Sequence, residues 1–264
     1  MSNKLKKLVI YLAMLSIFVP IIILAIWGFT SSWVYPKLTP SEYSLRGIEY
    51  ILNKENLRTM VNSLIIAIVV SLITILITVP AAYSLTIYNF KGKKLIELLI
   101  LSPIIIPLIS VAMGIHITFL KLNIANTLLG VIIINIIPCI PYSVRILSDT
   151  YKIIGNKFEI QAKTLGANKK EIFIKITLPL LAPGIMSAFS MCFIISFSQY
   201  FLTMLIGGGK IITYPMVMFP YIQSGDRLLS SLYSLVFIAI SLIVLFIMQS
   251  IVNKFFKSQI KLID

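Results

Sequence analysis

The run EIQAKTLGANKKEIFIKITLPLLAPG, from Glu159 to Gly184, decides how this chain is read. It joins two hydrophobic segments long enough to cross a membrane, yet its own chemistry is basic and broken by glycine. Lys157–Leu165 predicts a short helix. Gly166 suits the position just past its end, because glycine adopts positive φ without a Cβ clash. Asn168 then caps a second helix, and Glu171 three residues on completes a capping box. Ile172, Phe173 and Ile176 fall on one face, which leaves Lys169, Lys170 and Lys175 to solvent. Pro179 suits the first turn of the helix that follows. The unit is therefore helix, glycine turn, helix and membrane entry. Two uses stay open on physical grounds: a rigid link carrying force from a partner into the membrane, or an amphipathic hairpin lying on anionic lipid.

Around this unit the chain is built for a bilayer. Of its 264 residues, 58% are hydrophobic and only 12% charged, against about 25% charged in ordinary soluble domains. Hydrophobic windows predict six spans: Leu8–Thr30, Thr59–Ile87, Leu95–Leu120, Leu122–Leu147, Leu178–Ile206 and Leu228–Asn253. Lys4, Lys6 and Lys7 precede the first span as in a signal peptide. Its apolar core is too long for a cleaved signal and no small-residue cleavage site follows, so it is read as a helix. With the N-terminus inside, sixteen of the 23 Lys and Arg fall in inside segments and seven outside. This bias predicts both termini, and the quoted run, in the cytoplasm. The longest outside connection, Ser31–Arg58, holds Trp33 and Tyr35, which suit an interfacial belt. Gly207-Gly208-Gly209 followed by Tyr214-Pro215 is read as an ordinary outside loop in preference to a re-entrant element.

Several function classes are excluded by what the spans hold. The net charge of +14 sits in short blocks between apolar runs and makes no nucleic-acid stripe. Cys139 and Cys192 lie inside apolar runs and are read as packed thiols, with no metal site expected. The other five spans hold no Asp, Glu, Lys, Arg or His in their cores, and the third has Glu97 near its inner end and His116 near its outer end, both within reach of an interface. Ion-coupled carriers bury such groups near the midplane. There is no catalytic cluster and no phosphate-binding Gly-x-x-x-x-Gly-Lys stretch, so the chain is not expected to be an enzyme, and energy for uphill transport would come from another subunit. Polar residues inside spans, among them Asn62, Ser63, Ser71, Thr74, Asn135, Ser187 and Ser190, are read first as hydrogen-bonding between helices. Asn135, Ser196, Gln199 and Tyr200 are the candidates for lining a polar path. Pro80, Pro103, Pro107, Pro138 and Pro141 predict kinks.

At the quoted run the sequence resembles the EAA loop of ATP-binding-cassette importer permeases, Glu-Ala-Ala, three residues, Gly, nine residues, Ile, one residue, Leu-Pro. Ala162, Gly166, Ile176, Leu178 and Pro179 stand at that spacing, with Leu165 and Ala167 also typical. Ile160 and Gln161 replace the motif Glu and first Ala, and Glu159 stands one position early. Asn62-Ser63-Leu64 and Pro80-Ala81-Ala82-Tyr83 are similar to the family's core. The resemblance implies an all-α polytopic membrane protein with the six-helix type I importer permease fold. It implies an N-terminal helix and outside loop over 1–56, a permease core over 57–253 with its coupling loop at 149–178, and a cytoplasmic tail over 254–264. The location implied is a bacterial inner membrane. Glu159, Ala162, Leu165, Gly166, Ala167, Ile176, Leu178 and Pro179 would couple to the ATPase, with Gly166 as hinge, Leu165 and Ala167 as docking contacts and Leu178-Pro179 as the link onward.

The same resemblance implies the partners: ABC ATPase subunits holding ATP and Mg, a second permease subunit, an extracytoplasmic solute-binding protein and membrane lipid. No cofactor is expected on this chain. Pro40 and Ser44-Leu45-Arg46 resemble the spermidine/putrescine group, which makes a polyamine the first expectation for cargo. Ferric iron, thiamine or phosphonate are the alternatives. A stand-alone secondary carrier is the rival reading, with a membrane enzyme or an exporting or sensing permease behind it.

Overall fold

The computed structural model describes residues 3–260 apart from 35 and 38. The expectations placed on Tyr35, Lys261 and the end of the tail lie outside the described residues. Inside hydrocarbon no water satisfies backbone groups, so apolar runs of this length close their hydrogen bonds locally as helices. In chain order the elements are α1 (Asn3–Gly28), β1 (Thr30–Ser32), β2 (Glu42–Tyr43), α2 (Arg46–Ile51), α3 (Lys54–Ile87), α4 (Lys93–Ile105), α5 (Leu108–Lys121) and α6 (Leu128–Ile154). They continue with α7 (Lys157–Thr164), α8 (Lys169–Ile172), a π segment (Phe173–Thr177), α9 (Leu178–Phe197), α10 (Phe201–Gly207), α11 (Tyr214–Ser224) and α12 (Arg227–Ile260).

Among the described residues, five helices are long and apolar enough to cross a membrane: Val9–Gly28, Lys54–Ile87, Leu128–Ile154, Lys169–Phe197 and Arg227–Ile251. The expected third span, Leu95–Leu120, is two helices meeting at 103°, and it makes the sixth crossing only if the bent pair is one span. The break has a local cause. Ile106 is extended, at φ −87 and ψ 132, as the residue before a proline tends to be, and Pro107 has no N–H to continue α4. The fourth span begins at Leu128, later than Leu122, because Asn123 and Asn126 take positive φ and turn the chain. Thr127 then caps α6, its hydroxyl accepting from the Gly130 N–H at 3.1 Å. The fifth expected span, Leu178–Ile206, is interrupted after Phe197 and resumes as α10.

Two further differences concern the connections. On either side of Pro36 and Pro40 the chain pairs as a short antiparallel ladder, Thr30 opposite Tyr43 and Ser32 opposite Glu42. Gly208 (φ 53) and Gly209 (φ 75) do make the expected turn, but Tyr214-Pro215 after it open the helix α11.

The chain forms two compact units. One comprises Met1–Met60 and Tyr214–Leu242. Aromatic contacts hold it: Trp27 stacks on Trp33 at 4.7 Å, and the Arg227 guanidinium lies 4.6 Å over Trp27. The Tyr50 and Tyr221 hydroxyls meet at 2.6 Å, and that hydrogen bond, with burial, pushes the Tyr221 phenol up to about 12. The Tyr214 hydroxyl donates to the Tyr233 carbonyl at 2.8 Å.

The other unit, Val61–Thr213 with Ile243–Asp264, is built on the pairing of α6 with α9. Val70, Val131, Ile134, Cys139, Cys192, Leu202 and Ile206 form its core. Each cysteine thiol donates to the other residue's carbonyl, at 3.6 and 3.9 Å, so both are packed thiols across the seam. Gly184 on α9 lets Thr150 of α6 approach so closely that a Cβ there would overlap its side chain. Ser71 and Thr74 do not bridge helices by the bonds seen: each hydroxyl donates one turn back, to Ala67 O and Val70 O at 2.7 Å. Thr78 is the residue of this row that reaches across, its hydroxyl 2.6 Å from that of Ser143.

Candidate functional site

The hairpin read from Glu159 to Gly184 has the local structure its residues specify. Gly155, at φ 65, ends α6, and α7 follows over Lys157–Thr164. Gly166 takes φ 87 with nothing within 4 Å of where a Cβ would stand. The Ala167 N–H donates to Ala162 O at 3.0 Å across the turn. Asn168 caps α8 in a complete capping box: the Glu171 N–H donates to Asn168 Oδ1 at 2.9 Å, and the Asn168 N–H donates to Glu171 Oε2 at 3.2 Å.

The expected apolar face of the second helix is corrected. Ile172 is buried, but Phe173 is 43% exposed and Ile176 half-buried, while Thr177 is buried. The cause is the π segment Phe173–Thr177. Its wider turn holds one extra residue and rotates everything beyond it. Leu178 and Pro179 follow in the first turn of α9.

Of the expected coupling residues, Leu165 stands out at 87% exposed, an apolar side chain at the tip of the turn. Phe158 (52%) and Ile160 (55%) on α7 are also exposed. Ala167 is partly covered and Ala162 is buried. Glu159 does not project outward. Its Oε2 accepts from the Tyr83 hydroxyl of α3 at 2.9 Å and its Oε1 from the Thr177 hydroxyl at 2.7 Å. Tyr83 is also edge-on to Tyr151 of α6 at 5.4 Å. Tyr83 carries no assigned role in the sequence, Ile160 stands out there only as a departure from the motif, and Thr177 and Phe158 carry no mark. Residues 76 apart leave no local signal of their pairing.

The candidate path residues are only partly brought together. Asn135 is fully buried on α6 and its Nδ2 donates to the Thr203 hydroxyl of α10 at 3.2 Å. This is the interhelical bonding expected first of such residues. Ser196 is buried near the end of α9, and Gln199 and Tyr200 lie partly covered in the break before α10. Among the described residues, Asn135 Oδ1 and Ser196 Oγ have no hydrogen-bond partner. Two cavities lie elsewhere. One of about 120 Å³ sits at the α4–α5 bend and is mostly apolar, with Ser102, Ile106, Ala112, Ile134 and Leu202 in its wall. The other, about 200 Å³, lies among α3, α4 and α6 and is lined by Thr86, Glu97, Arg145, Ser148 and Lys152. Neither is lined by Asn135, Ser196, Gln199 or Tyr200.

Residues 75–258, which contain the hairpin and both helices it joins, match the family model of the binding-protein-dependent transport system inner membrane component. The chain belongs to that family. It is 34% identical over 126 residues to the molybdate/tungstate transport system permease protein WtpB of Pyrococcus abyssi, covering 48% of this chain and 50% of that one. It is 26% identical over 239 residues to the putative 2-aminoethylphosphonate transport system permease protein PhnV of Salmonella typhimurium, covering 90% and 89%. With the sulfate transport system permease protein CysT of Escherichia coli the identity is 24% over 222 residues, covering 78% and 80%. The matched region thus spans about half the length of WtpB and most of the other two. A solved bacterial ABC transporter involved in the import of the acidic polysaccharide alginate has a chain of the same fold, with a TM-score of 0.74 at 16% identity over 95% of this chain and 98% of that one. The fold of this family member is therefore that of a type I importer permease, a multi-pass inner-membrane protein.

Proposed function

We propose that this family member is the permease subunit of an ATP-driven importer, forming the membrane path for a small solute delivered by an extracytoplasmic binding protein. The observation that carries the reading is Leu165, an apolar side chain left 87% exposed at the tip of a well-formed hairpin. With Phe158 and Ile160 of the same hairpin also exposed, these apolar groups together fit a surface that a partner covers. In this reading two ATPase subunits hold ATP and Mg²⁺, both termini are cytoplasmic, and a second permease subunit completes the path around a core of residues 57–253. ATP closes the ATPase pair and loads the hairpin. The spans then switch from inward-open to outward-open, and hydrolysis resets them. ATP must favour one state by several kcal/mol to move most of the population.

For cargo, the relatives named for molybdate/tungstate, sulfate and 2-aminoethylphosphonate favour a small oxyanion. The polyamine reading rests on Pro40 and Ser44-Leu45-Arg46 and is the second. The test is uptake into liposomes holding the complex recovered with this chain and its binding protein, offered molybdate, sulfate, 2-aminoethylphosphonate and spermidine in turn with internal ATP. ATP-dependent uptake of an oxyanion supports the first reading. Uptake of spermidine alone overturns it in favour of the second, and uptake without any ATPase overturns the importer reading.

A further inference from the structure

The helix that would take the load, α7, is loosely attached by its chain ends. Gly155 before it and Gly166 after it take φ 65 and 87, and neither has an atom within 4 Å of a notional Cβ. At neither glycine does a side chain restrict the backbone. α7 buries only Ala162, so little apolar contact holds it down. Fastened by these alone, α7 would turn about its glycines under load and leave the membrane helices where they were.

A third attachment removes that freedom. One carboxylate, that of Glu159, accepts from Tyr83 on α3 and from Thr177 at the head of α9, at 2.9 and 2.7 Å. Hydrogen bonds onto a carboxylate are the stronger kind. The π segment ends at Thr177 and turns its hydroxyl inward. Tyr83 is itself braced edge-on by Tyr88 and Tyr151, at 5.8 and 5.4 Å.

We propose that Tyr83 and Thr177 are positioning residues which, through Glu159, clamp α7 to α3 and α9, so that a push at Leu165 moves both membrane helices. This rests on the reading of the hairpin as the ATPase-docking surface. The test uses the assembled complex with nitroxide labels at Lys157→Cys on α7 and Ser187→Cys on α9. Both positions are exposed, and the native Cys139 and Cys192 are fully buried. The label-to-label distance is measured by pulsed electron resonance without nucleotide and after trapping with ATP and vanadate. With the native clamp the distance stays narrow and unchanged, since α7 and α9 move together. In Tyr83→Phe and Thr177→Val the population with α7 unclamped rises roughly tenfold, the loss expected of a hydrogen bond to a charged group, and appears as a second distance on trapping. Thr177→Ser, which keeps the hydroxyl, restores the single distance.

A single unchanged distance in both hydroxyl deletions overturns the clamp. So does failure of both variants to assemble, which would make the contacts structural only. A chain that recovers no ATPase fails the docking reading before any variant is compared.

Discussion

Substituting Gly166 separates backbone geometry from side-chain contact, because its surroundings are empty. With φ at 87 and no atom within 4 Å of a Cβ, alanine meets no steric obstacle and changes only the backbone energy. Left-handed φ costs an L-residue roughly 1–2 kcal/mol, and alanine's smaller unfolded-state freedom returns about 0.4–1 kcal/mol. The net is about 1 kcal/mol, or roughly fivefold in the opening equilibrium of the turn. Asparagine tolerates this region and should cost less, and β-branched valine more. The assay is hydrogen exchange at the Ala167 amide, which donates to Ala162 O across the turn. The expected order of exchange rates is Gly166→Val fastest, then Gly166→Ala at roughly five times the native rate, then Gly166→Asn near native. The Val131 amide, bonded to Thr127 O, should not change. Transport should fall in the same order with insertion intact. If Gly166→Asn disrupts as much as Gly166→Val, the position is read by contact and not by φ, and the hinge assignment fails.

Three further outcomes follow from the packing. Gly184→Ala drives a Cβ into Thr150 and should cost about 1–3 kcal/mol by overpacking, seen as a lower thermal midpoint of the solubilised protein and partly restored by Thr150→Ala. Asn168→Ala removes the capping box and should destabilise α8 by about 1 kcal/mol, read as faster exchange at the Glu171 amide. Thr203→Val leaves the buried Asn135 amide without the partner seen here and should cost on the order of 1 kcal/mol, as interhelical hydrogen bonds in membranes do. Denaturant unfolding in detergent should show that loss, and Asn135→Leu combined with Thr203→Val should be milder than Thr203→Val alone.

What was legible in the sequence is local. Gly166, Asn168 and Glu171 act within a few residues of one another, so their spacing alone predicts the turn and the cap. The crossing helices α1, α3, α6 and α12 follow from runs of apolar residues that leave the backbone no other option. The break at Ile106-Pro107 was half legible: proline promised a kink, but the 103° turn depends on how α4 and α5 settle against their neighbours. The side facing inward beyond Ile172 was not legible, because a π turn shifts the register by one residue without a sequence mark. Nor was the inward reach of Glu159, whose partners come from distant parts of the chain. Asn135 looked like a path residue because it is polar in an apolar span. The bond to Thr203 shows that the same polarity also serves helix packing.

The most direct test of the coupling account places a photoreactive amino acid at Leu165 of the tagged chain in its native membrane. The irradiated membranes are solubilised mildly and the adducts identified by mass spectrometry. The account predicts a cross-link to an ABC ATPase, lost when Leu165 is left native and the label is moved to Leu76, exposed midway along the crossing helix α3. Adducts to lipid alone, with the ATPase abundant in the same membranes, would contradict it and leave the hairpin as a surface element on the bilayer.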